Sequence, residues 1–322
     1  HKIVSFLQRI FLIIIINLVL ISYIALTDPR SFFISEPYNI TLQAISIAIS
    51  RLVYGIDNFY GLKEVYLNLK SIPHPSLFFS DLRYLLEGQV YNFKSLNEIN
   101  EYNILIQNTI ISSLDLKIIS ENDLHVYQND MGYPIFVTAA FYLFGFSMKS
   151  VSILFLTIFL FSIFIYLSNF FEDNLSLILI FLITSCFSLI LLINFGGNVQ
   201  SVGTINQRFI SILALVPSLF ISLMIVRKEK YTVFNYICLF FQIIILSLIL
   251  EVRGTAIWGV FYLIIFLMTI FVLKLRKVNF VKKLNLTSLV FIFLTFLIIS
   301  QSTNYIIAKS LGDRSQEPSI IK

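Results

Sequence analysis

Carboxylates and arginines are scarce in this chain, so the few that stand beside apolar runs are the residues that could do chemistry. Arg208 and Arg253 each begin an apolar stretch, and Glu251 precedes Arg253 by two residues. Arginine carries a planar, permanently charged fork that matches a phosphate, and a helix N-terminus adds favourable partial charge. Among the acids, Asp28, Asp81 and Asp130 stand out by position. Asp81 opens the run Asp81-Leu82-Arg83-Tyr84-Leu85-Leu86-Glu87-Gly88, which predicts an amphipathic helix with an acidic N-cap. There Arg83 could hold the Asp81 carboxyl ionised. Gln200 lies in the polar run Gly196-Gly197-Asn198-Val199-Gln200 that leads to Arg208.

Each of these residues also has a plain structural role open to it. The arginines suit snorkelling interfacial anchors, the loop acids suit solvated surface, and Asp130 suits a cap on the helix that follows. His74 and His125 are too far apart for a metal spacing, and Cys186 and Cys238 sit in apolar runs. The sequence therefore indicates no metal centre, no cofactor and no disulfide framework. No glycine-rich phosphate loop, Ser/His/Asp order or HExxH pattern is present.

The elements that would position these residues are membrane helices. Hydrophobic residues make up 57% of the 322 and charged residues 13%, against about 25% charged in a soluble domain. Mean hydropathy is +0.87. The fold class expected is an all-α polytopic membrane protein with seven transmembrane helices and a large first outer loop. Residues 1–27 read as a signal-anchor helix, 28–149 as the outer loop with juxtamembrane helices, 150–308 as a six-helix bundle, and 309–322 as an outer tail. Both ends read as trimmed, the first residue being His1. The six later spans fall at about 150–170, 175–195, 209–226, 231–250, 255–273 and 285–307.

Charge sets the orientation. Residues 28–132 carry twelve acids against seven bases, a balance of −5 within a chain of +5, so the remainder carries +10. The net positive charge is thus a topology signal and not one for nucleic acid. Pro134 to Gly145 predicts a helix of twelve residues, about 18 Å long against a hydrocarbon core of about 30 Å. If this helix lies in the outer interface, the basic links Arg227-Lys228-Glu229-Lys230 and Lys274-Leu275-Arg276-Lys277 fall in the cytoplasm, as the positive-inside bias prefers. The expected orientation has the N-terminus cytoplasmic and the large loop outside. Thr41 to Tyr54 reads either as a helix on the membrane surface or as the core helix of a small outer domain.

One span, a large outer loop ending in a juxtamembrane helix, and a further bundle together resemble the family-C membrane glycosyltransferases. These include the protein O-mannosyltransferases and the lipid A aminoarabinose transferases. Asp130-Met131-Gly132-Tyr133-Pro134 and Leu143-Phe144-Gly145-Phe146-Ser147 look like that family's juxtamembrane segment, and Asp81-Leu82-Arg83-Tyr84 looks more loosely like its first juxtamembrane helix. The resemblance implies transfer of a sugar from a polyprenyl-phosphate donor to a lipid, glycan or protein acceptor. Arg208 and Arg253 would hold the phosphate, and Asp81 or Asp28 would act as base. The chain departs from the family in where the acid falls: Asp28 lacks the expected helix, and Asp81 lies some fifty residues beyond it. Two rival readings remain, an O-antigen polymerase or ligase and a non-enzymatic transporter or scaffold. The large loop comes early here rather than late, and no internal repeat is evident.

Overall fold

A computed structural model describes residues 15, 38–56, 60–71, 96–117, 124–126, 132–170, 179–180, 210–226, 231–252, 254–275 and 286–311. These residues are mostly helical. In chain order they form α1 (Tyr38–Tyr54), β1 (Tyr60–Leu62), α2 (Lys63–Lys70), α3 (Leu96–Ser112), β2 (Leu124–Val126), α4 (Gly132–Phe144) and α5 (Met148–Phe170). Then follow α6 (Leu215–Val226), α7 (Val233–Val252), α8 (Trp258–Leu275) and α9 (Leu286–Leu311).

The segment before α4 builds a small unit around α1. Isoleucines at 45, 47 and 49 alternate as they would in a strand, yet the segment is helical because it is enclosed on every side. Leu42 and every residue from Ala44 to Ser50 are buried. A helix on a membrane surface keeps one polar face in water, so the core-helix reading fits and the surface reading does not.

The two short strands pair antiparallel, with Gly61 opposite His125, which qualifies the all-α expectation. Serines of α1 satisfy the ribbon's backbone. Ser46 Oγ donates to the Leu62 carbonyl at 3.3 Å, and Leu62 N–H donates to Ser50 Oγ at 2.9 Å. Burial holds the Tyr66 phenol above its ordinary range, with a Gln43 hydrogen bond acting in the opposite sense. Asn68 of α2 donates to Ser113 Oγ at 2.7 Å, and Tyr54 of α1 donates to the Ser113 carbonyl at 2.9 Å, which ties the end of α3 to both helices.

Among the described residues, two helices are long and apolar enough to cross a membrane, Ser150–Phe170 within α5 and Val233–Val252, which is α7. Shorter apolar helices run over Ser211–Val226, Trp258–Leu273 and Ile292–Thr303. The expected spans at 10–26 and 175–195 lie almost wholly outside the described residues. The turn before α6, Ser211–Ala214, is wound as a 3-10 helix. Pro217 has no N–H for the Leu213 carbonyl, and its ring crowds that turn, which accounts for the tighter winding.

Two polar rungs join α5 to α7. Ser162 Oγ donates to Gln242 Oε1 at 2.7 Å, and Gln242 Nε2 donates to the Ser162 carbonyl at 2.8 Å. At the next level Asn235 Nδ2 donates to Asn169 Oδ1 at 2.6 Å. The interval from 162 to 169 equals that from 235 to 242, so both rungs fix one antiparallel register. Thr232 and Asn235 form a capping box at the start of α7. Thr232 N–H donates to Asn235 Oδ1 at 2.8 Å and Asn235 N–H to Thr232 Oγ1 at 3.3 Å. Tyr231 spans the turn into α7 by donating its hydroxyl to the Met224 carbonyl.

Interhelical hydrogen bonds of this kind are worth about 1 kcal/mol. In a double-mutant cycle of Ser162→Ala and Gln242→Leu, thermal unfolding in detergent should therefore show a coupling of about 1 kcal/mol. Additive losses would remove the rung from the account of stability.

The register also fixes how α4 lies. Its first residue, Gly132, packs on the backbone of Glu251 and Val252 at the end of α7. At its other end the Gly145 carbonyl accepts Ser150 Oγ at 2.6 Å, in the first turn of α5. In the antiparallel pair, the start of α5 and the end of α7 stand at one level, within about one helical turn of each other. Both ends of α4 therefore sit at the same end of the pair, and α4 lies across it. Gly145 stops α4 at φ +86°, a conformation open to glycine without steric cost. Phe141 and Phe146 meet edge-on at 5.5 Å inside the corner, and Gln107 of α3 donates to the Phe146 carbonyl at 2.9 Å.

Candidate functional site

The junction of α4 and α7 is where the structure places Glu251, the one described residue among the sequence's candidates. α7 ends in Glu251-Val252, and its last carbonyls carry the negative end of a helix dipole. α4 begins at Gly132 with the positive end of its own. A Cβ placed on Gly132 would stand 2.5 Å from the Glu251 carbonyl carbon, 2.5 Å from the Val252 nitrogen and 2.6 Å from the Glu251 oxygen. Real side chains do not tolerate such distances, so only glycine lets the positive end of α4 approach the carbonyls of α7 this closely.

Glu251 is half-buried at this contact, Tyr133 is fully buried beside it in the chain, and Pro134 occupies the first turn of α4, where its missing N–H has no partner to lose. Ser152, in the first turns of α5, is buried with its hydroxyl oxygen unpartnered. The unit built on α1 covers the same end, because α1 packs along α4. Met224 and Tyr231 meet at the opposite end of α7 from Glu251, where the Tyr231 hydroxyl donates to the Met224 carbonyl.

Of the residues that sequence reasoning selects, the structure places Glu251. Asp28, Asp81, Arg83, Asp130, Gln200, Arg208 and Arg253 lie outside the described residues, and so does the expected convergence of Arg208 with Arg253. His125 is in β2, where its backbone faces Gly61, and His74 lies outside the described residues. Among the described residues no group of three or more His, Cys, Asp or Glu side chains could hold a metal ion.

Gly132 is the residue that sequence reasoning undervalued. Its position between an acid and Tyr-Pro marks a turn, but nothing in the sequence names the backbone it must meet. Gln242 has the reverse history. It is the main polar residue in mid-span, and both ends of its amide are taken up by Ser162.

Comparison of the chain with protein-family models, with curated proteins and with solved structures finds no match. Among the described residues, the geometry establishes a mostly helical arrangement with two helices long and apolar enough to cross a membrane and a crosswise helix at one end of them.

Proposed function

We propose that the chain is a membrane glycosyltransferase that moves a sugar from a polyprenyl-phosphate donor to an acceptor on the outer face of a bacterial inner membrane. The observation that supports this reading is the close contact of Gly132 with Glu251 and Val252. Asp130 precedes Gly132 by two residues and Arg253 follows Glu251 by two. Two residues of extended chain reach about 7 Å at most, so Asp130 and Arg253 are each tethered in sequence within that length of a residue of this contact. Phosphate recognition and acid–base work need that neighbourhood, and the polar unit around α1 stands over the same end.

In this reading the donor enters sideways from the bilayer. Arg208 and Arg253 hold its phosphate, with Gln200, Asp130 and Glu251 shaping the site around it. Asp81 or Asp28 accepts the proton of the acceptor hydroxyl, and Arg83 keeps the Asp81 carboxyl ionised. The hydroxyl oxygen bonds to the anomeric carbon as the bond to the phosphate oxygen breaks, with inversion. Polyprenyl phosphate departs with the bonding electrons, and the arginines stabilise the charge it gains. The transporter alternative would use a free polar group at mid-membrane, and the amide of Gln242 is already taken up by Ser162.

The test is release of polyprenyl phosphate by protein reconstituted with hexosyl and pentosyl donors and a cell-envelope acceptor fraction. Release should occur with one donor class and fall at least about tenfold in Arg253→Ala, as loss of a charge-assisted bond worth about 1.5–3 kcal/mol requires. No release with any donor, or release indifferent to Arg253→Ala, would refute the reading.

A further inference from the structure

Among the described elements, α9 is the longest, with 26 residues, and it packs chiefly on α7. The face it turns to the core is a regular stripe. Ile292 is buried, and Thr295, Phe296, Ile299, Ser300 and Thr303 are half-buried. At about 100° per residue these six centre on one side of the helix. Leu294, Leu297, Ile298, Gln301 and Tyr305 are exposed and centre on the opposite side, with Gln301 in their midst.

No charged residue occurs between Lys283 and Lys309. Gln301 precedes Lys309 by eight residues, about 12 Å along the axis. Where α9 spans a membrane, its amide therefore stands in the hydrocarbon. The hydroxyls of Ser300, Ser302 and Thr303 can bond to carbonyls one turn back, but a glutamine amide is too large for that. Among the described residues nothing engages it. The other glutamine within an expected span, Gln242, is buried with both ends of its amide bonded to Ser162. Gln301 faces outward, so it lines no path through the bundle, and acyl chains offer it no hydrogen bond.

We propose that two copies of the chain pair along this face of α9, the Gln301 amides exchanging hydrogen bonds across a two-fold axis. The chemistry selects a second copy. An amide carries an acceptor oxygen and donor hydrogens, so its simplest complement is another amide that gives and takes in return. Copies of one chain insert in one orientation. The axis relating two of them then runs along the membrane normal and sets the two α9 helices parallel and unstaggered. Each seam residue meets its own counterpart, an arrangement that suits an amide and apolar side chains and would oppose like charges, of which this face has none. The spacing agrees. Leu294, Leu297 or Ile298, Gln301 and Tyr305 recur at three and four residues, as at the seam of two paired helices, where a single polar residue fixes register. This inference rests on the membrane reading of the helices and is independent of sugar transfer.

The test begins with Cys186 and Cys238 replaced by alanine. Single cysteines are then introduced as Leu294→Cys or Tyr305→Cys on the seam, and as Phe293→Cys or Ser302→Cys on its flanks, and oxidised in membranes of the expressing cell. A disulfide needs Cβ atoms about 4 Å apart, so the seam variants should form linked dimers and the flank variants should not. For the unmodified chain, energy transfer between terminally labelled copies in phosphatidylcholine vesicles gives the dissociation constant. Gln301→Leu should raise it about tenfold, and Gln301→Asn, which keeps an amide, should raise it less. Cross-linking that is absent, or equal at all four positions, would leave α9 without a partner face. Association indifferent to Gln301→Leu would remove the amide from it. Either result overturns the proposal. If alkaline carbonate strips the chain from membranes, the membrane reading falls and the inference falls with it. Neither measurement uses a sugar donor, so failure of the transfer reading leaves both results standing.

Discussion

Replacing Gly132 by alanine should destabilise the protein by about 3 kcal/mol, near the upper end of what overpacking costs. The added methyl would stand 2.5–2.6 Å from three backbone atoms of Glu251 and Val252. A flexible side chain could rotate away from such a contact, but backbone held in the last turn of α7 cannot. α4 would have to lift off α7, taking with it α1, which packs along it. Thermal unfolding in detergent should move down by roughly 5–10 °C. Gly145→Ala separates the two uses of glycine in this helix. Its Cβ would meet nothing within 4 Å, but φ is +86°, so the cost should be about 1 kcal/mol of backbone strain. Equal losses at the two positions would show that close approach is not what requires glycine at 132.

The second large effect concerns the base of the proposed transfer. Asp81→Asn keeps the shape of the side chain and removes its basicity. Turnover should fall by about 10²-fold or more while donor binding stays nearly intact. Asp81 is favoured over Asp28 because it opens a predicted helix, which fixes its backbone, and because Arg83 lies two residues on. Asp28 is followed by Pro29 and lies nearer the first apolar run. Single-turnover measurements on both variants decide between them. An inactive Asp28→Asn beside a near-normal Asp81→Asn would move the role to Asp28, and two silent substitutions would leave the transfer without its base.

Helix existence and the corner at Gly145 were legible because both rest on local rules. Apolar runs of this length have few options other than helix, and glycine just past such a run is a common stop. What could not be read was partnership. The β1–β2 ribbon brings Tyr60–Leu62 to Leu124–Val126, across more than sixty residues, and three-residue strands carry too little periodicity to announce themselves. Whether α1 was a surface helix or a core helix depended on what surrounds it, since Ile45, Ser46, Ile47 and Ala48 suit either. Gly132 and Gln242 each needed a partner named before their roles could be told apart. The arginine and aspartate candidates rest on chemistry and chain connectivity, with Glu251 the one that the described geometry seats.

The Ser162–Gln242 rung bears on the order in which the chain is made. If α5 and α7 cross a membrane, Ser162 reaches it before Gln242, and a serine hydroxyl can wait there by bonding to a carbonyl one turn back in its own helix. Gln242 carries an amide too large to be satisfied in that way. By the time it arrives, its partner is already in place, and the costly interval of an unmatched amide among acyl chains is avoided. Had the two residues been exchanged between the helices, the amide would have to wait through the synthesis of everything between them. The asymmetry of the rung, small hydroxyl early and amide late, thus suits a nascent chain that inserts from its N-terminus onward.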